Sequence, residues 1–284
     1  MAYRSISLIV TDEAADIGLL KAAVALAVRD GAHLEVSCLD VDATRLDPLP
    51  LGAAPMVVDF DRNHGPARGH ADELAAWARK ELDALAVPVH ASVEAVVIAD
   101  PGLDAGIARL LRYADLVIAG LPYGALRNSL RAAVIEAALF GTDAPVLVLP
   151  DRPVDLSRPF GRIMLGWNDT DVALSAARKA LPFLQEAGHV DVVMVDPPSH
   201  SPERSDPGGQ ISIMLARHGV RPMVSILSRT LSRDSDVLLR FAHDHGLDAI
   251  VLGAYGHTRF REALMGGVTR ELLSGSDLPL LMAH

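Results

Sequence analysis

The chain has 284 residues, 50% of them hydrophobic and 22% charged, which is enough to bury two cores of ordinary domain size and is not the composition of a disordered protein. A formal net charge of −10 excludes nonspecific attraction to nucleic acid or anionic membrane as the main function, because that attraction rests on clustered Lys and Arg. Cys38 is the only cysteine, so there is no intrachain disulfide framework and no thiolate metal cluster; the N-terminal apolar run meets Asp12 and Glu13 too early for a secretory segment, and a cytoplasmic location is expected.

The elements follow in chain order. An apolar strand at 6–10 leads to a helix at 14–29 and a second strand at 34–41. A helix at 67–85, a strand at 89–98, a helix at 103–111, a strand at 116–119, a helix at 129–140 and a strand at 146–149 complete the first half. The second half repeats the order: a strand at 163–166, a helix at 172–184, a strand at 190–195, a helix at 210–217 and a strand at 223–227. A helix at 235–245, a strand at 249–252, a glycine-rich segment with its own helix, and a strand at 280–282 close the copy. Short strands alternating with helices specify a doubly wound parallel sheet, here twice.

Local matches support duplication. Residues 114–120 (ADLVIAG) align with 247–253 (LDAIVLG) at an offset of 133, and 145–149 (PVLVL) with 279–283 (PLLMA) at 134. Between them 150–159 is rich in proline and charge. The expected organisation is a domain at 1–150, a linker at 151–159 and a second domain at 160–284. The segment 42–68 holds four prolines and no clear periodicity; a lid, an interdomain cover and a plain surface loop are all open readings.

The segment 248–269 carries the chemistry. Gly253 and Gly256 stand where the strand ends, and Gly266 and Gly267 precede an amphipathic run of Val268, Leu272 and Leu273. Free N–H groups and the positive dipole end at the start of a helix attract an anion, and residues without a Cβ let an oxygen approach the main chain. These features point to nucleotide binding.

The spacing Gly253-x2-Gly256-x9-Gly266 in this strand-loop-helix context resembles the ATP-binding motif of the universal stress protein family. The phrases GRIMLGWNDT (161–170) and KALPFL (179–184) and the repeat of about 140 residues extend the resemblance to a tandem member. It implies an α/β fold of two tandem doubly wound domains, each a five-stranded parallel sheet of the adenine nucleotide alpha hydrolase-like kind with strand order 3-2-1-4-5, the last strands pairing with each other. In that family the glycines receive ribose and phosphates, and a Ser or Thr usually follows the third; here Gly267 stands there, with Thr269 in the first helical turn. Asn168 falls where an adenine-reading aspartate is usual, and an amide can both accept from and donate to the base; Asn168, Asp169 and Thr170 are also candidate N-caps. Val195 falls where the family's main chain meets adenine, its side chain also suiting a core. Trp167, His257, Arg259 and Val268 join the implied site, with Arg261 beside Arg259 able to offset negative charge; His257 and both arginines have a solvent-facing reading as well. In the first copy Ala133 replaces the third glycine and Asp12 reads as a helix cap, so no ATP is expected there.

Other chemistries lack their motifs. No Gly-x4-Gly-Lys-Ser/Thr, Gly-x-Gly-x2-Gly or Gly-x-Ser-x-Gly segment occurs in the required context. His243 and His245, two apart on a helix, cannot share a metal, and His64 with His70 lacks a scaffold. No catalytic residue and no metal ligand is assigned. The expectation is a stress-response protein that binds ATP or another adenine nucleotide, with or without Mg²⁺, in its C-terminal domain as a sensor or switch. The alternatives are a nucleotide-free interaction module with a relic glycine loop and, at most, a slow ATPase. Its partners would be the nucleotide, an unidentified protein and a second copy in a homodimer.

Overall fold

The protein is described from a computed structural model, which covers residues 2–42, 65–123, 129–197, 206–254 and 267–284. The described residues form ten strands and nine α-helices. In chain order these are β1 (Ser5–Val10), α1 (Glu13–Asp30), β2 (His33–Asp42), α2 (Gly65–Asp83), β3 (His90–Ala99), α3 (Leu103–Leu111), β4 (Leu116–Gly120), α4 (Ser129–Gly141) and β5 (Val146–Leu149). The second half runs β6 (Arg162–Gly166), α5 (Asp171–Lys179), α6 (Leu181–Glu186), β7 (His189–Val195), α7 (Gly209–Arg217), β8 (Pro222–Leu227), α8 (Asp234–Asp244), β9 (Ala249–Gly253), α9 (Gly267–Gly275) and β10 (Leu280–Ala283).

All ten strands belong to one sheet of order β3-β2-β1-β4-β5-β10-β9-β6-β7-β8. Each half therefore has the order 3-2-1-4-5, and its own strands are parallel. The halves join where β10 meets β5 antiparallel, with Leu281 opposite Leu147. The expected pairing of last strands is thus the seam of the molecule, and it leaves neither of these apolar strands with an open edge. β4, β5 and β10 are buried along their whole length, as continuous apolar runs between two layers of helices require. Two core clusters fill the two faces of the sheet, and each takes residues from both halves.

Local rules explain the element ends. Asp12 caps α1, its Oδ1 accepting from Ala15 N–H at 2.7 Å, and Gly31 closes the helix with φ of 60°. The helix expected at 172–184 is two helices broken at Ala180, because Pro182 lacks the N–H that would continue the ladder and its ring crowds the carbonyl four residues back. The proline-rich stretch after β5 is held down: Leu156 is buried, Arg29 Nη1 donates to Arg158 O at 3.2 Å, and Arg152 Nε donates to Asp277 O at 2.8 Å. Most of the 42–68 segment lies outside the described residues.

Candidate functional site

In an open α/β sheet the crevice lies beyond the carboxyl ends of the strands, where successive connections depart to opposite faces. In the second half that point is between β6 and β9, which pair side by side with Gly166 opposite Leu252. Four segments meet there: Trp167 to Thr170 after β6, Val195 and Asp196 at the end of β7, Gly253 and Ala254 at the end of β9, and the start of α9 at Gly267. The structure brings Trp167, Asn168, Val195, Gly253, Gly267, Val268 and Thr269 to this end of the sheet. Gly256, His257, Arg259 and Gly266 lie outside the described residues.

The β6 connection is built from polar contacts. Thr170 is the cap of α5, its Oγ1 accepting from Ala173 N–H at 3.3 Å, and its own hydroxyl donates to Asn168 Oδ1 at 2.7 Å. Of the three cap candidates the structure selects Thr170, with Asn168 supporting it. Asn168 is exposed and its amide nitrogen is uncommitted, so it offers donors more readily than an acceptor. Asp169 makes the turn with φ of 56°, in the left-handed region that Asp tolerates. Trp167 anchors the strand end through N–H to Val193 O at 2.9 Å. Its indole is 8% exposed within the first core cluster, yet among the described residues Nε1 has no hydrogen-bond partner. A buried donor left unmade costs about 1–3 kcal/mol, so an acceptor is called for here.

The glycines divide into two kinds. A Cβ on Gly253 would stand 2.7 Å from Ala173 N and Val172 C, so this glycine lets β9 and the first turn of α5 touch. Its sequence reading as a seat for ligand oxygens thus meets a packing role. Gly267 is exposed and a Cβ there would meet nothing within 4 Å among the described residues, so on that side the first turn of α9, whose N–H groups lack intrahelical partners, is uncovered by them. Thr269, in the same turn, is buried. The side chain of Val195 packs against the second core cluster, and Asp196 beyond it, with φ of 42°, accepts from Arg229 N–H at 3.2 Å.

The equivalent point of the first half is occupied by protein. A Cβ on Gly120 would stand 2.8 Å from the guanidinium of Arg131, which donates through Nη2 to Asp16 Oδ1 at 2.8 Å and to Ala15 O at 2.9 Å. The other oxygen of Asp16 accepts from Thr11 N–H at 2.8 Å and Asp12 N–H at 3.2 Å. Asp16 thereby puts a fixed carboxylate on the main-chain donors beyond β1. Beside Arg131 a cavity of about 170 Å³ remains, bounded by α1 and residues 149–154, below the usual range of small-molecule sites. Sequence reading missed this pair, although Asp16 and Arg131 each lie on the apolar stripe of a helix, Asp16 with Leu19, Leu20 and Ala23, Arg131 with Val134, Ile135 and Ala138.

Remaining candidates for chemistry resolve as structural groups. Burial pushes the Cys38 thiol up to about 12, so it is not a ready nucleophile. His243 lies against Asp277 at 2.9 Å while His245 stacks on Phe241 at 3.9 Å between centroids, so the two do not converge. Among the described residues no group of three or more His, Cys, Asp and Glu side chains is arranged to hold a metal, and no helix is long and apolar enough to cross a membrane.

Fold and crevice together define a duplicated, doubly wound α/β protein whose first switch point is filled by the Arg131–Asp16 pair. The C-terminal residues 159–284 match the family model described as the Universal stress protein family. Over these residues the second half of the chain is similar to that family, and the shared strand order extends the fold to the first half. The curated Universal stress protein Slr1230 of Synechocystis sp. is 24% identical over 112 residues, 38% of this chain and 38% of its own length. Universal stress protein MJ0577 of Methanocaldococcus jannaschii is 36% identical over 45 residues, 16% of this chain and 28% of its own. The chain thus spans less than two fifths of the length of either curated relative. A crystal structure of a universal stress protein from Archaeoglobus fulgidus superposes with a TM-score of 0.69 at 15% identity, over 98% of this chain and 97% of that one. A functionally unknown protein from Pseudomonas aeruginosa gives 0.60 at 17%, over 99% and 92%. At such identities the likeness concerns the fold, and it extends over both halves.

Proposed function

We propose that residues 160–284 form a domain that binds ATP or another adenine nucleotide and acts as a nucleotide-dependent switch, and that residues 1–150 form a second domain that has lost this capacity. The observation that carries the reading is the contrast between the two switch points among the described residues: an Arg131–Asp16 ion pair fills the first, while at the second the helix start at Gly267 is exposed and the buried Trp167 Nε1 meets no acceptor. Both features of the second call for an electron-rich ligand.

Main-chain donors at Gly267 and Val268 and the Thr269 hydroxyl would hold phosphate oxygens, joined by the glycine segment with Gly256, His257, Arg259 and Gly266. Trp167 and Asn168 would meet the base, with the main chain at Val195 beside it. Each supplies donors, and adenine offers ring nitrogens as acceptors. A divalent cation such as Mg²⁺ would arrive with the nucleotide's phosphates rather than on a protein cluster. A cytoplasmic location suits such a switch.

Isothermal titration of nucleotide-stripped protein with ATP and Mg²⁺ tests this reading. One site per chain is expected, lost in the Gly256→Val/Gly266→Val variant. No heat at millimolar ATP would overturn it. The packing role of Gly253 favours a second reading, in which the loop glycines are relics of fold and the domain is a nucleotide-free interaction module. Metal-dependent ADP release, lost in the same variant, would instead mark a slow ATPase.

A further inference from the structure

The ten-stranded sheet has two outer edges, β3 and β8, and they are finished differently. On β3, Arg79 Nη2 donates to Val93 O at 2.8 Å and Arg68 Nη1 to Ala95 O at 3.4 Å, both arginines coming from α2, and Glu94 adds a charge to the strand. Such devices keep an edge from recruiting another strand.

β8 has none of them beyond Pro222 at its start. Arg221 O accepts from Val190 N–H at 3.2 Å and Leu227 O from Asp196 N–H at 2.9 Å, so the odd-numbered residues of this segment turn their main chain toward β7. Alternation then turns the N–H and C=O of Val224 and Ile226 outward, where no side chain of the described residues caps them. The side chains along the edge are apolar and open: Met223 is 48% exposed, Val224 37% and Ile226 54%, with Ile213 of α7 at 44%. Between Arg221 and Arg229 there is no charged residue.

We propose that β8 is a dimer edge, on which a second copy of this chain docks its own β8 antiparallel about a two-fold axis at Ser225. In that register Val224 of each copy exchanges both main-chain hydrogen bonds with Ile226 of the other, four bonds in all, and each Pro222 C=O faces the Ser228 N–H of its mate. The side chains of Val224 and Ile226 lie on the face that carries Val192 and Met194, against which α7 packs, so the four side chains of the pair form one apolar strip flanked by the two copies of Ile213. Arg221 comes opposite Arg229 of the second copy, whose charge is already met by Asp234 at 2.6 and 2.9 Å. The sheet already uses this kind of joint once, at β5 and β10, where topologically equivalent strands meet antiparallel. A second copy answers a neutral, self-complementary edge better than a charged partner does. The inference does not depend on nucleotide binding.

Sedimentation equilibrium of the full chain tests it. The wild type is expected at twice the 30.2 kDa of the chain, and Val224→Lys/Ile226→Lys should raise the dissociation constant at least about tenfold, returning it toward 30.2 kDa. Tyr113→Lys, at an exposed position of the other half, should leave the dimer intact. Amide exchange at Val224 and Ile226 in the wild type should slow as concentration rises, which needs no variant to fold. A wild type that stays at 30.2 kDa to about millimolar concentration, or a dimer that survives the double lysine change, overturns the proposal.

Discussion

Asp16 and Arg131 meet at 2.8 Å in the interior of the first half, both almost wholly buried, and each carries further hydrogen bonds to main chain. A buried pair contributes little net stability against an apolar replacement, but removing one member strands the other's charge. Arg131→Met should therefore cost about 3–5 kcal/mol in urea unfolding, and Asp16→Leu/Arg131→Met should recover a large part of it. Equal loss in the single and double variants would mean that the main-chain bonds, not the charges, matter. The pair has a signature in the sequence, since a charge at the i−3 and i−4 positions of an apolar stripe needs a partner, but nothing local names that partner 115 residues away. By contrast Asp12 was legible, because a cap obeys a local rule of three or four residues. Thr170 was legible only as one of three candidates, since all three are cap formers and only the turn at Asp169 separates them.

At the scale of elements, local pattern carried most of the fold. Strand and helix positions follow from runs of apolar residues, and their ends move by only a residue or two in the structure. The exception is the break at Ala180, where a continuous apolar stripe hid the effect of Pro182. What pattern could not give is how closely elements approach. Gly253 reads in sequence as part of a ligand loop, yet it is where the end of β9 meets the main chain of Val172 and Ala173. Gly253→Ala is expected to force α5 away from β9 and cost about 1–3 kcal/mol of stability, whether or not nucleotide is present. An alanine variant as stable as wild type, but weak in ATP titration, would return Gly253 to the ligand side. The same lesson holds for β3 and β8, equivalent strands by topology that differ in how α2 and α7 treat their edges.

On the scale of the whole molecule, duplication was visible in the repeated strand phrases, but the depth of the seam was not. The stretch after β5 looked in sequence like a linker, and linkers between domains usually leave them free to move. Here β5 and β10 are buried edge to edge, both core clusters draw on both halves, and Tyr3 reaches across to donate its hydroxyl to Lys179 O at 2.6 Å. Lys179 in turn pairs with Asp143 at 2.8 Å, and Arg29 with Glu186 at 3.3 Å. The chain has two tryptophans, Trp77 in the first half and Trp167 in the second, so each half carries its own fluorescent reporter. Trp167→Phe leaves the first half visible and Trp77→Phe the second. A sheet continuous through the seam should make the two variants, each corrected for its own stability change, unfold in urea at coincident midpoints and with the steep slope of the whole chain. Separate midpoints would show that three paired residues on each side are too few to couple the halves, and that what happens at the second switch point need not be felt in the first.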